Sequence, residues 1–242
     1  MEQTVRDYHP ISDIDMPAEV VPMGDSVSPK GMITHILTSN AEPVSVLDIG
    51  FGMGTLGAFI KTHPECRHWS VDGVDGWGAN CRNKSLIEER RYRNIWHGLA
   101  QELPAKQLQS YRIICLLDVV EHLPASIARD LVRTLLSSMA DNALLFISTP
   151  LWFYPQDALQ EGDLEEHQIG VPASSMLAMN PIMYSVNHPL VGGFVYDKSS
   201  LQFADFFQPT TNKEFSFEMG MQIVRMVRME HTPGVVYKCR AV

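Results

Sequence analysis

The chain has 242 residues, of which 45% are hydrophobic, and it carries 19 Lys and Arg against 28 Asp and Glu. This composition is typical of one globular domain, and the formal net charge of -9 argues against a protein that binds nucleic acid by neutralising phosphates. The charge is uneven, because residues 134–197 contain seven acids and no Lys or Arg.

The sequence favours a cytosolic location. Residues 1–17 lack the basic and apolar segments of a secretory signal, and no window reaches the ~18 to 20 apolar residues of a membrane span. The cysteines at 66, 81, 115 and 239 are far apart and form no Cys-x-x-Cys pair. Neither a disulfide framework nor a cysteine-based zinc site is therefore expected.

Residues 1–43 are predicted to form an N-terminal arm followed by a helix. Six acids and three prolines among residues 1–27 indicate irregular structure. Ser28 and Pro29 match the cap and first position of a helix, and an apolar stripe continues from there to Leu37.

Residues 44–148 alternate between apolar runs and helical patterns. Strands are predicted at 43–49, 69–75, 93–97, 111–118 and 143–148, and helices at 55–62, 77–91 and 124–139. The continuously apolar strands indicate a sheet that is buried on both faces. Strands that alternate with helices predict a doubly wound, mostly parallel α/β sheet, built by right-handed crossovers.

The pattern changes after Pro150. Residues 149–197 are rich in Pro, Gly, Met, His and aromatic side chains and show no long element, so they are interpreted as a lid or substrate-binding insertion. Residues 198–242 are predicted to close the same domain with a helix, capped by Ser199 or Ser200, and a β-hairpin. Its strands would be 221–229 and 235–241, joined through a Pro-Gly turn.

The strongest functional signal is the sequence DIGFGMG at residues 48–54, which leads from a strand into a helix. Glycines permit a tight turn and let a ligand approach main-chain N–H groups, so a nucleotide-like ligand is favoured. The overlapping Gly-x-Gly-x-x-Gly, with Asp75 at the end of the next strand, also fits a dinucleotide fingerprint. In either case the Asp75 carboxylate can accept hydrogen bonds from two ribose hydroxyls. An NAD(P)-dependent oxidoreductase therefore remains an alternative here.

Three motifs in order resemble the class I S-adenosylmethionine-dependent methyltransferases: LDIGFGMG at 47–54, GVDGW at 73–77 and LLDVVEHLP at 116–124. The resemblance covers about residues 44–148. It implies a Rossmann-like, seven-stranded sheet with an antiparallel last strand, and S-adenosyl-L-methionine as the cofactor. It further implies an enzyme that transfers a methyl group to an O or N acceptor.

The same resemblance implies where the cofactor binds. The glycine segment would line its methionine part, Asp75 its ribose, and the ends of the third and fourth strands the remainder. The residues expected at the cofactor are Asp48, Gly50, Phe51, Gly52, Gly54, Asp75, Gly76, Trp77, Gly98, Leu99, Ala100, Asp118, Val119 and Val120. Trp77 could stack on adenine or cover the sheet edge. Leu99 stands where the family often has an acid for the adenine amino group, which leaves main-chain groups or Gln101 for that contact.

Two histidines are candidates for a general base. His122 follows the fourth strand, at the edge where α/β sheets place ligands, although with Glu121 it could instead anchor the next helix by hydrogen bonds. His167 ends the sequence EGDLEEH, which loosely resembles a substrate-side segment of small-molecule and lipid-like methyltransferases. A His beside a carboxylate suits a general base. No metal is expected, because His167 and His188 match no recognised ligand spacing.

The predicted lid also supplies the candidates for substrate binding. These are Trp152, Tyr154, Gln156, Glu165, Tyr184 and His188. Because this region is apolar with acids and no cation, the acceptor is expected to be a neutral or cationic small molecule, and neither nucleic acid nor a membrane is expected as a partner. A catalytically inactive methyltransferase-like binding module remains a further alternative, since no base is unambiguous. The sequence does not specify an oligomeric state.

Overall fold

The protein is represented by a computed structural model that describes residues 2–5, 44–64, 66–187, 191–212 and 236–239. The helix expected at 28–37 and the strand expected at 221–229 lie outside the described residues. No helix within the described part is long and apolar enough to cross a membrane.

One sheet runs through the molecule. Its strands are β1 (Glu2–Val5), β2 (Ser45–Ile49), β3 (Ser70–Asp75), β4 (Asn94–His97), β5 (Ile113–Leu117), β6 (Leu144–Pro150), β7 (Met183–Asn187), β8 (Val191–Tyr196) and β9 (Val236–Lys238). The helices are α1 (Thr55–Thr62), α2 (Gly78–Cys81), α3 (Ser85–Glu88), α4 (Ala105–Leu108), α5 (Ala125–Ser138) and α6 (Ala173–Ala178). Tighter 3₁₀ turns occupy Ala100–Glu102, Val120–His122 and Lys198–Phe206.

The strand order is β1-β4-β3-β2-β5-β6-β8-β7-β9. The five strands from β4 to β6 are parallel, whereas β1 at one edge and β8, β7 and β9 at the other pair antiparallel. The predicted α/β, doubly wound, Rossmann-like fold is thus confirmed, in a sheet that is wider than the seven strands expected. From β2 the chain crosses to β3 on one side of β2, and it later crosses from β4 to β5 on the other side of β2. The carboxyl ends of β2 and β5 therefore form the switch point at which such sheets bind ligands.

The central strands are buried on both faces, as expected from their apolar sequence. Val46 and Cys115 belong to one apolar cluster, and their strand neighbours Leu47 and Ile114 belong to the other. Helix α5 covers the second cluster with a stripe of buried side chains spaced three or four residues apart. This packing fixes the strand ends, and with them the loops that carry the candidate site.

Four sequence expectations differ from the structure. Strand β1, at Glu2–Val5, lies in the arm that was expected to be irregular. The single helix expected at 77–91 is two short helices, because the Asn83 side chain accepts hydrogen bonds from the Ser85 amide and hydroxyl and starts α3 afresh. The cap expected at Ser199 or Ser200 is Asp197, whose carboxylate accepts from the Ser199 amide at 3.0 Å. Finally, β7 and β8 come from the stretch in which no long element was expected.

Candidate functional site

The loop between β2 and α1 has the left-handed backbone that its glycines permit. Gly50, Gly52 and Gly54 have φ of 70°, 53° and 79°. A Cβ on Gly50 would lie 2.5 Å from the Val119 side chain, so any residue larger than glycine would clash with Val119. A Cβ on Gly52 would meet no atom within 4 Å. Gly52 therefore borders open space, where a ligand can approach the main chain.

The buried side chain of Tyr92 contacts both ends of this loop. Its hydroxyl donates to Asp48 Oδ2 at 2.6 Å and accepts from the Gly57 N–H at 3.3 Å, and its ring lies 5.3 Å from that of Phe51. Burial and the neighbouring Asp48 raise the pKa of Tyr92 well above its usual value, so the hydroxyl stays protonated and donates. The side chains of Asp48 and Phe51 thus belong to the buried support of the loop. Sequence reasoning missed Tyr92, which lies far along the chain.

Asp75, at the end of β3, joins two loops. Its Oδ2 accepts from the Gly52 N–H at 2.9 Å and from Asn80 Nδ2 at 3.1 Å, and its Oδ1 accepts from the Trp77 N–H at 2.7 Å. The carboxylate is therefore held against the glycine loop, at the open space beside Gly52. Asn80 was not a candidate from the sequence, although a polar residue five positions after the acid, in the helix that follows, is the signal that could have found it.

The end of β4 adds an apolar wall next to this carboxylate. The Gly98 N–H donates to the Asp75 carbonyl at 3.0 Å. The Leu99 side chain is 41% exposed, and a Cβ on Gly76 would lie 2.9 Å from Leu99 and 2.8 Å from Leu164. Leu99 and Leu164 thus form an apolar surface here, and Leu164 was not a candidate from the sequence. Ala100 packs against the core behind them.

The end of β5 approaches the glycine loop from the other side. Asp118 has a φ of 52°, and its carboxylate accepts a hydrogen bond from the Ser148 hydroxyl at 2.8 Å. This bond helps to hold a backbone conformation that non-glycine residues seldom adopt. Val119 follows and contacts the position of Gly50, while Val120 is buried. All three therefore lie at the switch point.

The two candidate histidines meet beside this edge. The rings of His122 and His167 are 4.6 Å apart in an edge-on arrangement. His167 Nδ1 lies 2.6 Å from the Tyr154 carbonyl, which can only accept, so Nδ1 carries the proton and Nε2 has a free lone pair. Burial lowers the pKa of both imidazoles, and each is held neutral at pH 7.

The segment at 151–169 lies over the site. Asp163 organises its turn by accepting from the amides of Leu159, Gln160 and Glu165. Burial raises the pKa of the Glu165 carboxyl, and the charges of Asp163 and Asp75 raise it further. Glu165 therefore lies within electrostatic reach of Asp75, and it also interacts with His167, so the segment links the glycine loop to the histidines.

The other substrate candidates are more dispersed. Trp152 and Tyr154 form an edge-on aromatic pair 5.5 Å apart, and the Gln156 side chain donates to the Glu165 carbonyl at 2.8 Å. Tyr184 lies in β7 instead, where its ring stacks on that of Phe194 at 5.7 Å. The candidate at position 188 lies outside the described residues.

Comparisons with known proteins give one family match and several similar folds. Residues 29–177 match a family model described as a methyltransferase domain. The solved PH0226 protein from Pyrococcus horikoshii OT3 is similar over 71% of this chain and 88% of its own, with 11% identity and a TM-score of 0.50. No curated protein matches the sequence.

Two solved proteins from Burkholderia thailandensis are also similar. An O-methyltransferase family protein aligns over 69% of this chain and 55% of its own, with 11% identity and a TM-score of 0.46. The 1,6-didemethyltoxoflavin-N1-methyltransferase, solved with 1,6-didemethyltoxoflavin and S-adenosylhomocysteine, aligns over 72% of this chain and 78% of its own. Its identity is 12% and its TM-score 0.48.

Proposed function

Because the chain belongs to the methyltransferase domain family and uses S-adenosyl-L-methionine as its methyl donor, we propose that it methylates an oxygen or nitrogen atom of a neutral or cationic small molecule. The class I resemblance drawn from the three motifs is confirmed, and it decides against the nicotinamide-dependent alternative. The observation that supports the proposed acceptor class is the acidic segment beside the paired histidines, because residues 134–197 contain seven acids and no Lys or Arg.

The residues around the glycine loop fit this cofactor. The open space at Gly52 admits a ligand to the main chain, and the Asp75 carboxylate beside it is the acceptor that two ribose hydroxyls require. The exposed Leu99 and Leu164 offer an apolar surface suited to the adenine ring. When bound, S-adenosylmethionine supplies an electrophilic methyl group on its sulfonium sulfur.

The remaining cofactor-side candidates keep their places in this proposal, with a difference in role. Asp48 and Phe51 would act through the shape of the loop, because their side chains are buried against Tyr92. The backbone of Asp118, Val119 and Val120 would form the floor of the pocket at the end of β5. We assign residues 44–148 to the cofactor-binding body on this basis.

We propose that the acceptor side is formed within residues 149–197, the predicted lid or insertion, by their segment at 151–169. Asp163, Glu165 and Glu166 make it acidic, and residues 134–197 contain no Lys or Arg. The acids of this segment would repel a phosphate or a free carboxylate. They would not repel a neutral hydroxyl or amine on an apolar skeleton, and they would attract a cationic amine. The same charge argues against nucleic acid as the acceptor, and we propose a cytoplasmic enzyme acting on a small molecule.

His167 and His122 are the groups we propose to act on the acceptor. The free lone pair on His167 Nε2 can receive the proton that an acceptor hydroxyl or ammonium group gives up. Such a base contributes about 10²- to 10⁴-fold to the rate. The larger part of catalysis would come from alignment of the acceptor and from exclusion of water by the lid, since methyl transfer needs a direct in-line approach.

Calorimetry with S-adenosylhomocysteine and an acceptor panel tests the proposal. We expect Asp75→Ala to weaken S-adenosylhomocysteine binding at least about tenfold, because charge-assisted hydrogen bonds to the ribose contribute about 1.5–3 kcal/mol. Asp141→Ala, at an exposed acid beyond α5, is the matched control and should bind normally. Transfer of labelled methyl to hydroxyl or amine acceptors supports the acceptor class, whereas turnover confined to phosphorylated acceptors or polynucleotides would refute it.

A further inference from the structure

Three metal-ligating side chains meet at the acceptor side of the site. Glu121, His122 and His167 each offer a ligand atom, and these atoms all lie within 4.8 Å of one another. Glu121 and His167 are buried and His122 is half-buried. Burying two imidazoles and a carboxylate together has a cost in desolvation, which a shared ligand would offset.

The surroundings of two of these side chains match those of metal ligands. The His167 Nδ1–H donates to the Tyr154 carbonyl. This bond fixes the ring and leaves the lone pair of Nε2 to coordinate a metal ion. Glu121 Oε2 accepts a hydrogen bond from the Thr149 hydroxyl at 3.0 Å. Metal-bound histidines and carboxylates are usually oriented by such outer hydrogen bonds.

His122 supplies an independent observation. Its Nδ1 is buried and has no hydrogen-bond partner among the residues that the structure describes. Buried polar nitrogens are almost always paired, so an unpaired one asks for a ligand. A cation coordinated through His122 Nδ1, together with His167 and Glu121, would satisfy this nitrogen.

We propose that Glu121, His122 and His167 bind one divalent transition-metal ion. Two imidazoles and one carboxylate suit ions such as Zn²⁺, whereas Mg²⁺ and Ca²⁺ prefer oxygen ligands throughout. Bonds of ~2.1 Å in a tetrahedral site place ligand atoms roughly 3.4 Å apart, so the present spacing requires only a small closure of the side chains. Three protein ligands leave at least one position open.

The role of the ion rests on the proposed function. An open position at the acceptor side would take an oxygen of the acceptor, and a divalent ion lowers the pKa of a bound hydroxyl. This selects hydroxylated acceptors from the broader O or N class. The two imidazoles would then hold the ion, the proton of the bound hydroxyl would pass to solvent water, and the oxygen would take the methyl group as the carbon–sulfur bond of the sulfonium breaks.

Metal titration of the full chain tests the site without reference to activity. After treatment with EDTA, the protein is titrated with ZnCl₂ by calorimetry and with CoCl₂ by absorption spectroscopy. We expect one ion per chain, and a cobalt spectrum without thiolate-to-metal charge transfer, which separates this site from the four cysteines. His122→Ala, His167→Ala and Glu121→Gln should each weaken zinc binding at least about tenfold. His68→Ala, at an exposed histidine, is the matched control.

The outcomes separate this inference from the proposed function. Wild-type protein that binds no stoichiometric zinc, or variants that all bind it like the wild type, would overturn the metal site. S-adenosylhomocysteine binding is measured on the same samples. Wild-type protein that binds zinc but does not bind S-adenosylhomocysteine would overturn the proposed function and leave the metal site standing. Glu121→Gln keeps the side-chain shape and its Thr149 contact, so it reports on ligation even where an alanine variant fails to fold by circular dichroism.

Discussion

The support of the glycine loop by Tyr92 leads to a quantitative prediction. Tyr92→Phe removes the hydroxyl that donates to the buried Asp48 carboxylate and accepts from the Gly57 N–H. A hydrogen bond to a charged group contributes about 1.5–3 kcal/mol and a neutral one about 1 kcal/mol. The free energy of unfolding should therefore fall by about 2.5–4 kcal/mol. Since the loop loses its anchor, binding of S-adenosylhomocysteine should weaken as well.

Tyr111→Phe is the matched control for this change. The Tyr111 hydroxyl also donates to a buried acid, Asp72, but that acid accepts from Arg93 and Asn94 too, at the amino ends of the strands. Because Asp72 keeps its bonds to Arg93 and Asn94, we expect a loss of about 1.5 kcal/mol, at the low end of the range for a charged acceptor, and unchanged S-adenosylhomocysteine affinity. Urea unfolding by circular dichroism, with an unchanged slope, measures the first quantity and calorimetry the second. A Tyr92→Phe loss below ~1 kcal/mol with normal affinity would refute the anchoring argument.

Two further predictions concern backbone conformation and pH. Gly52→Ala and Gly162→Ala both place a Cβ on a left-handed backbone with no atom within 4 Å, so each variant should lose about 1–2 kcal/mol of stability. Only Gly52→Ala should weaken S-adenosylhomocysteine binding in calorimetry. Equal affinities of the two variants would contradict the argument that a ligand occupies the open space at Gly52. Burial lowers the pKa of Lys61 to about 7. The unfolded chain keeps that proton up to its ordinary pKa of 10.5, so the free energy of unfolding should rise between pH 7 and about pH 10. Urea unfolding at pH 7 and 9 should show this rise, and Lys61→Met should abolish it.

The parts of the fold that follow from local pattern were accessible from the sequence. Helix α1 has the bounds expected from its apolar spacing, and the strands from β2 to β6 lie within two residues of their expected ends. The glycine loop and Asp75 were found for the same reason, since a turn that needs left-handed φ and an acid at a strand end are both local signals.

Long-range contacts account for what the sequence did not reveal. Strand β8 contains two consecutive glycines, which weaken its strand pattern, and its place in the sheet depends on pairing with β6. The contacts of Tyr92 with Asp48, and of His122 with His167, join residues that no periodicity relates. A spacing rule applied along the chain therefore could not anticipate the cluster proposed here to bind a metal.

The bonds that Asp75 makes within the protein also affect the thermodynamics of cofactor binding. A carboxylate has about four lone-pair positions, and Gly52, Trp77 and Asn80 already use three of them. Ribose hydroxyls would in part exchange with these donors, so the enthalpy gained at this carboxylate is smaller than a count of contacts in a complex would suggest. In return, the glycine loop is ordered before the ligand arrives, and association loses less conformational entropy.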